Sequence, residues 1–124
     1  MSDKSTKILI ADDDTDGLVE ALSEFLVGQG YEVFTAENGK DALLLLERQD
    51  VDILISDIEM PEMNGVELGM ALKNEKIIRI IVSGYERNKN YQSLVKADLF
   101  LSKPFRFGDL EVELQQLLEK KRAG

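Results

Sequence analysis

The sequence predicts a doubly wound α/β domain built on a parallel sheet. Three observations carry that reading. Strand-like and helix-like segments alternate five times along the 124 residues. The principal strand-like runs are apolar along most of their length rather than alternating, which marks strands covered on both faces. Two of those runs, Lys7-Ile8-Leu9-Ile10-Ala11 and Val51-Asp52-Ile53-Leu54-Ile55-Ser56, stop on carboxylates: Asp12-Asp13-Asp14 and Asp57.

The elements follow in order. Strand β1 is predicted at Lys7–Ala11. Helix α1 is predicted at Asp16–Gln29, with Leu18, Leu22, Phe25 and Leu26 on one face and Gly30 as its stop. Strand β2 covers Glu32–Thr35. Asn38 reads as the N-cap of α2, which runs to about Gln49 with Ala42, Leu45 and Leu46 inward. Strand β3 is Ile53–Ser56 and α3 is Gly65–Asn74. Strand β4 is Ile77–Val82, α4 is Asn88–Lys96, and β5 is the short run Leu99–Leu101. Helix α5 extends from Phe107 to Lys121, with Leu110, Leu114, Leu117 and Leu118 inward. Connections between such parallel strands are right-handed crossovers. One domain over residues 1–124 is expected, with Met1–Thr6 and Lys120–Gly124 as flexible ends.

Composition excludes several classes of chemistry. There is no cysteine, so disulfides and thiolate metal sites are out. There is no histidine, which removes the commonest general base and the usual transition-metal ligand. The net charge of −9 disfavours direct nucleic-acid binding, which needs clustered Lys and Arg. The basic stretch Lys120-Lys121-Arg122 suits a helix C-terminus. No apolar stretch is long enough to span a bilayer, and the polar start Met1–Thr6 is unlike a signal peptide. A cytoplasmic protein without membrane insertion is the expectation.

In parallel α/β sheets, ligands sit beyond the carboxyl ends of the strands. Four polar features fall there: Asp12 and Asp13 after β1, Asp57 after β3, Ser83-Gly84 after β4, and Lys103-Pro104 after β5. If β1 and β3 are neighbours, three carboxylates converge. Two unit charges about 4 Å apart interact by roughly 4 kcal/mol at an effective dielectric near 20, so a cation is needed to offset the repulsion. Oxygen-only ligands favour Mg²⁺. A carboxylate can also attack phosphorus to give an aspartyl phosphate. That chemistry needs a metal, a cationic donor and a hydroxyl to hold the transferred oxygens. Asp57 suits the nucleophile, Asp12 and Asp13 the metal site, Lys103 the cation and Ser83 the hydroxyl. Each feature alone is an ordinary cap, turn or loop charge. Their joint occurrence at successive strand ends is what points to a site.

These residues resemble the receiver domain of two-component response regulators, including single-domain, chemotaxis-regulator-like receivers. The similarity rests on Ile8-Leu9-Ile10-Ala11-Asp12-Asp13-Asp14, Asp57-Ile58-Glu59-Met60-Pro61-Glu62-Met63-Asn64-Gly65, Ile81-Val82-Ser83-Gly84 and Phe100-Leu101-Ser102-Lys103-Pro104-Phe105. The resemblance implies a flavodoxin-like three-layer sandwich with strand order 2-1-3-4-5. It implies that Asp57 is the phosphoacceptor, taking a phosphoryl group from a phosphohistidine on a sensor histidine kinase or phosphotransfer protein. Asp13 would ligate Mg²⁺ directly, Asp12 mainly through water, and the carbonyl of Glu59 would be a further ligand. Lys103 would pair with Asp57 and then with the phosphoryl group, and Ser83 would bond a phosphoryl oxygen. Phe100 stands at an aromatic switch position, and the Lys103–Pro104 bond would be cis. The implied function is a signalling switch that accepts a phosphoryl group without turning over an external substrate. Its surface of α4, β5 and α5 would bind a downstream target or an output domain in trans, and leaves room for a phosphorylation-dependent dimer.

Departures from the family pattern fall between Gly84 and Lys103, a stretch short for the family, and at Ala97-Asp98, which lacks the usual glycine. Glu59 and Tyr85 hold variable positions beside the site and are expected to tune how fast the phosphoryl group is lost. Three other readings stay open on the residues alone. One is a haloacid-dehalogenase-like phosphatase, against which the mid-chain position of Asp57 and the short chain count. Another is a flavodoxin-like cofactor binder, whose phosphate loop Asp12 to Asp14 would repel. The third is a receiver-shaped scaffold that is never phosphorylated.

Overall fold

In the computed structural model, which describes residues 5–13, 17–58, 62–63, 65–72, 76–84 and 97–123, five parallel strands form one sheet of order β2-β1-β3-β4-β5. The strands are β1 Lys7–Ala11, β2 Glu32–Ala36, β3 Ile53–Asp57, β4 Ile78–Ser83 and β5 Leu99–Ser102. The helices are α1 Leu18–Gly28, α2 Gly39–Arg48, α3 Gly65–Ala71 and α5 Phe107–Ala123. The doubly wound class and the strand order expected above are both present. The segment expected to form α4, Asn88–Lys96, lies outside the described residues, as do Asp14, Glu59, Met60, Pro61, Asn64 and Tyr85.

The two-residue period of the strands divides their side chains between two cores. Ile8, Ile10, Ile53, Ile55, Ile78, Ile80 and Val82 face one side, where Leu22 and Leu26 of α1 and Leu110 and Leu114 of α5 cover them. Leu9, Ala11, Ala36 and Leu54 face the other, under Ala42 of α2 and Leu68 of α3. Three layers result, with the central strands buried on both faces, which is why they carry almost no alternation.

Local chemistry sets the ends of the elements. Gly17, at φ 92°, caps α1 in the left-handed region that glycine adopts without penalty, and Gly30, at φ 101°, follows its last turn. Asn38 caps α2: its Oδ1 accepts from the Asp41 N–H at 2.7 Å. The ladder extends one residue further than hydropathy suggests at β3, where Asp57 pairs in register with Val82, and at β4 and β5, where Ser83 pairs with Ser102. Helix α5 runs from Phe107 to Ala123.

One strand departs from the apolar pattern. Arg79 lies buried within β4. Its guanidinium donates to the Leu72 carbonyl at 3.2 Å, beyond the end of α3, and its backbone exchanges hydrogen bonds with Asp98 at 2.8 and 2.7 Å. The guanidinium thus ties β4 to the end of α3, and the Arg79 backbone ties it to the chain entering β5.

Candidate functional site

The parity of the strands brings the acidic residues together. Ala11 is paired with Ser56 across β1 and β3, so the next residues, Asp12 and Asp57, lie side by side. Asp12 extends the β1 ladder by donating its N–H to the Ala36 carbonyl at 3.0 Å. One carboxylate oxygen from each of Asp12, Asp13 and Asp57 lies within 4.8 Å of the other two. Asp12 is buried, Asp57 half-buried and Asp13 exposed. The set therefore opens to solvent on the Asp13 side. Beneath it lies an apolar floor of Ile10, Leu22, Ile55 and Val82, walled by Leu18, Val19 and Phe105.

Lys103 follows β5, two strands away from Asp57 and three from Asp12. Its side chain crosses the end of β4, where the chain leaves Ser83 for Gly84. The ammonium donates to Oδ2 of Asp12 at 3.0 Å and to Oδ2 of Asp57 at 3.1 Å. The three side chains are 23%, 8% and 14% exposed, so these bonds are sheltered from the screening that weakens surface pairs. Burial is the largest single influence on the Lys103 ammonium and acts to lower its pKa. The hydrogen bonds and charges of Asp12 and Asp57 together outweigh it and leave the pKa raised above the ordinary 10.5. The Lys103–Pro104 peptide is cis, as the sequence resemblance implies.

The structure thus joins Asp12, Asp13, Asp57 and Lys103. Lys103 bridges Asp12 as well as Asp57, a contact sequence reasoning missed. It depends on register: with Ala11 paired to Ser56, Asp12 and Asp57 lie side by side and one ammonium can meet both. Ser83 ends β4 at the same edge of the sheet. Phe100 is half-buried against Ile58 and Ile81, so the aromatic ring packs on the residue that follows Asp57. Glu59 and Tyr85 lie outside the described residues. No helix among the described residues is long and apolar enough to cross a membrane.

Among the described residues, three carboxylates against one ammonium leave a formal surplus of two negative charges in this cluster. An all-oxygen donor set with that surplus fits a hard divalent cation of the Mg²⁺ type.

The family model for the response regulator receiver domain matches residues 8–115, and the chain belongs to that family, the receiver domains of two-component signalling. It is 33% identical over 119 residues to the response regulator SaeR of Staphylococcus aureus, a match covering 93% of this chain and 51% of that protein. The chain spans about half the length of the curated relatives it matches. A CheY-like receiver domain protein from Methanospirillum hungatei superposes with a TM-score of 0.88 at 29% identity, covering 97% of this chain and 98% of the other. The response regulator TrrA of Thermotoga maritima, solved in complex with Mg²⁺ and BeF, superposes with a TM-score of 0.79 at 32% identity, covering 90% of this chain and 98% of its own. Family membership displaces the phosphatase and cofactor-binding readings, since receivers are signalling switches rather than turnover enzymes.

Proposed function

We propose that this domain is a phosphorylation switch in which Asp57 accepts a phosphoryl group from a phosphohistidine on a partner histidine kinase or phosphotransfer protein. An Asp57 carboxylate oxygen attacks phosphorus. The P–O bond forms as the P–N bond to imidazole breaks, and the imidazole nitrogen leaves with the electron pair and takes up a proton. Asp12, Asp13, Asp57 and the Glu59 carbonyl would hold Mg²⁺, which when bound neutralises charge on the transferring oxygens. Lys103 meets the phosphoryl oxygens from the β5 side, and Ser83 donates its hydroxyl to another. Attack of water on phosphorus later returns the carboxylate and inorganic phosphate, at a rate that Glu59 and Tyr85 tune.

The observation that carries this reading is the meeting of Asp12, Asp13 and Asp57 with a lysine shared between two of them. Phosphorylation replaces one carboxylate by a group of greater charge with more acceptor oxygens. Lys103 and Ser83 follow those oxygens, and Phe100 repacks against Ile58 and Ile81. The surface of α4, β5 and α5 then changes its preference for a downstream protein or output domain. The domain is a two-state equilibrium biased by the modification, and it acts in the cytoplasm without contacting nucleic acid itself.

Beryllofluoride, a phosphoryl mimic, tests this in the presence of Mg²⁺. Amide resonances at β4, β5 and α5 are expected to shift in the wild type and to stay in place in Asp57→Asn. A wild type that ignores the mimic contradicts the reading. Phosphoryl loss is expected to change rate in Glu59→Ala and Tyr85→Ala, and an unchanged rate in both removes their tuning role.

A further inference from the structure

Ser56 is the one hydroxyl residue of β3, and it is fully buried. By strand parity its side chain points with Leu54 into the core under α2 and α3. Its neighbours across the sheet are Ala11 on β1 and Ile81 on β4. A hydroxyl buried in such apolar company is costly unless it is hydrogen-bonded. The bond is made to the next residue: Ser56 Oγ donates to the Asp57 carbonyl at 2.9 Å. An alanine would fill the same place without a hydroxyl to satisfy, so packing alone gives no reason for serine.

Asp57 is thereby held at two points. Its carboxylate accepts from Lys103 at 3.1 Å, and its carbonyl accepts from Ser56. That carbonyl belongs to the peptide joining Asp57 to Ile58, and the Ile58 side chain is buried against Ile81. Ser56 itself is fixed, being paired to strands on both sides. A bond from a fixed hydroxyl to the Asp57 carbonyl restricts ψ of Asp57, and with it the direction in which Cβ carries the carboxylate. We propose that Ser56 is a positioning residue for Asp57: its hydroxyl sets the peptide that follows the phosphoacceptor, and so the attitude at which the carboxylate meets the phosphoryl group. The inference rests on the phosphorylation-switch reading. Ser56 acts through the Asp57 backbone and needs no contact with metal or phosphoryl oxygens.

The test is a beryllofluoride titration of the folded protein at saturating Mg²⁺, read by NMR, with stability measured separately by urea unfolding without either ligand. Ser56→Ala is expected to bind the mimic about 5-fold more weakly, the scale of one neutral hydrogen bond, because the cost of ordering the peptide then falls on binding. Leu114→Ala, which opens the core on the other face of the sheet, is expected to lose stability while keeping affinity for the mimic within about twofold. Wild-type affinity in a folded Ser56→Ala overturns the proposal, as does equal weakening in Leu114→Ala. If Ser56→Ala does not fold, Ser56→Cys serves instead: a thiol is a weak donor, so the mimic should again bind more weakly, and wild-type affinity there overturns the proposal too. A wild type that takes up no beryllofluoride, or an Asp57→Asn that takes it up as well as wild type, instead overturns the parent reading and this inference with it.

Discussion

Lys103 Nζ stands 3.1 Å from Oδ2 of Asp57, although 46 residues separate them in the chain. The same ammonium reaches Asp12 at 3.0 Å. Before any phosphoryl group arrives, the cation that would greet it is already placed by the two carboxylates. On the proposed reading the site is preorganised, and Lys103 would only have to follow charge as it moves from carboxylate to phosphoryl oxygens.

Lys103→Met is expected to act in two opposite directions. With its ammonium gone, the surplus negative charge at Asp12, Asp13 and Asp57 grows, so Mg²⁺ should bind several-fold tighter. Phosphorylation by a small donor should slow, since one group that stabilises the transferring oxygens is missing. Stability without metal should fall by about 1–2 kcal/mol, as two sheltered carboxylates lose a charged donor. Mg²⁺ titration, phosphorylation kinetics and urea unfolding read the three effects separately.

The pH dependence of that contribution follows from the raised pKa of Lys103. A cationic group whose folded pKa exceeds its unfolded value contributes fully below the unfolded value and loses the contribution as pH rises through the folded one. The stability difference between wild type and Lys103→Met should thus be flat from neutrality up to about the ordinary 10.5 and shrink above it. Urea unfolding of both proteins across alkaline pH checks this, and a difference that already fades near neutrality contradicts it.

Phe100→Ala should cost about 2 kcal/mol, the scale for a partly buried aromatic, because the ring packs on Ile58 and Ile81. Phosphorylation of Asp57 should persist, since the ring donates nothing to the site. The spread of beryllofluoride-induced shifts into β5 and α5 should shrink. Retention of the full response would show that Phe100 does not couple the site to that surface.

Asn38→Ala removes the side chain that accepts from Asp41 and should destabilise the domain by about 1 kcal/mol. Asn38→Asp should recover only part of that loss, because its carboxylate still caps the helix but faces Asp41 Oδ2, to which the Asn38 amide donates at 3.2 Å. Thermal unfolding of both variants decides the matter.

Much of this was legible in the sequence for one physical reason. Strands buried on both faces leave an apolar signature, and the polar residues that end them mark the edge where ligands gather. That signal singles out Asp12, Asp13, Asp57, Ser83 and Lys103, of which the structure brings Asp12, Asp13, Asp57 and Lys103 together. Where hydropathy is silent, the reading fell short. Asp57, Ser83 and Ser102 complete their strands through backbone pairing, which no side-chain pattern reports. Arg79 interrupts β4 because its guanidinium finds the Leu72 carbonyl, a partner visible only once the helix is packed. No sequence pattern reports that Gly39 lies close against Met63, since that depends on where Met63 comes to rest.

The most direct measurement is intact-protein mass spectrometry after incubation with acetyl phosphate and Mg²⁺. A gain of one phosphoryl mass is predicted in the wild type, lost on adding a chelator and absent in Asp57→Asn. A wild type that stays unmodified, or an Asp57→Asn that is modified equally, would contradict the assignment of Asp57 as the phosphoacceptor.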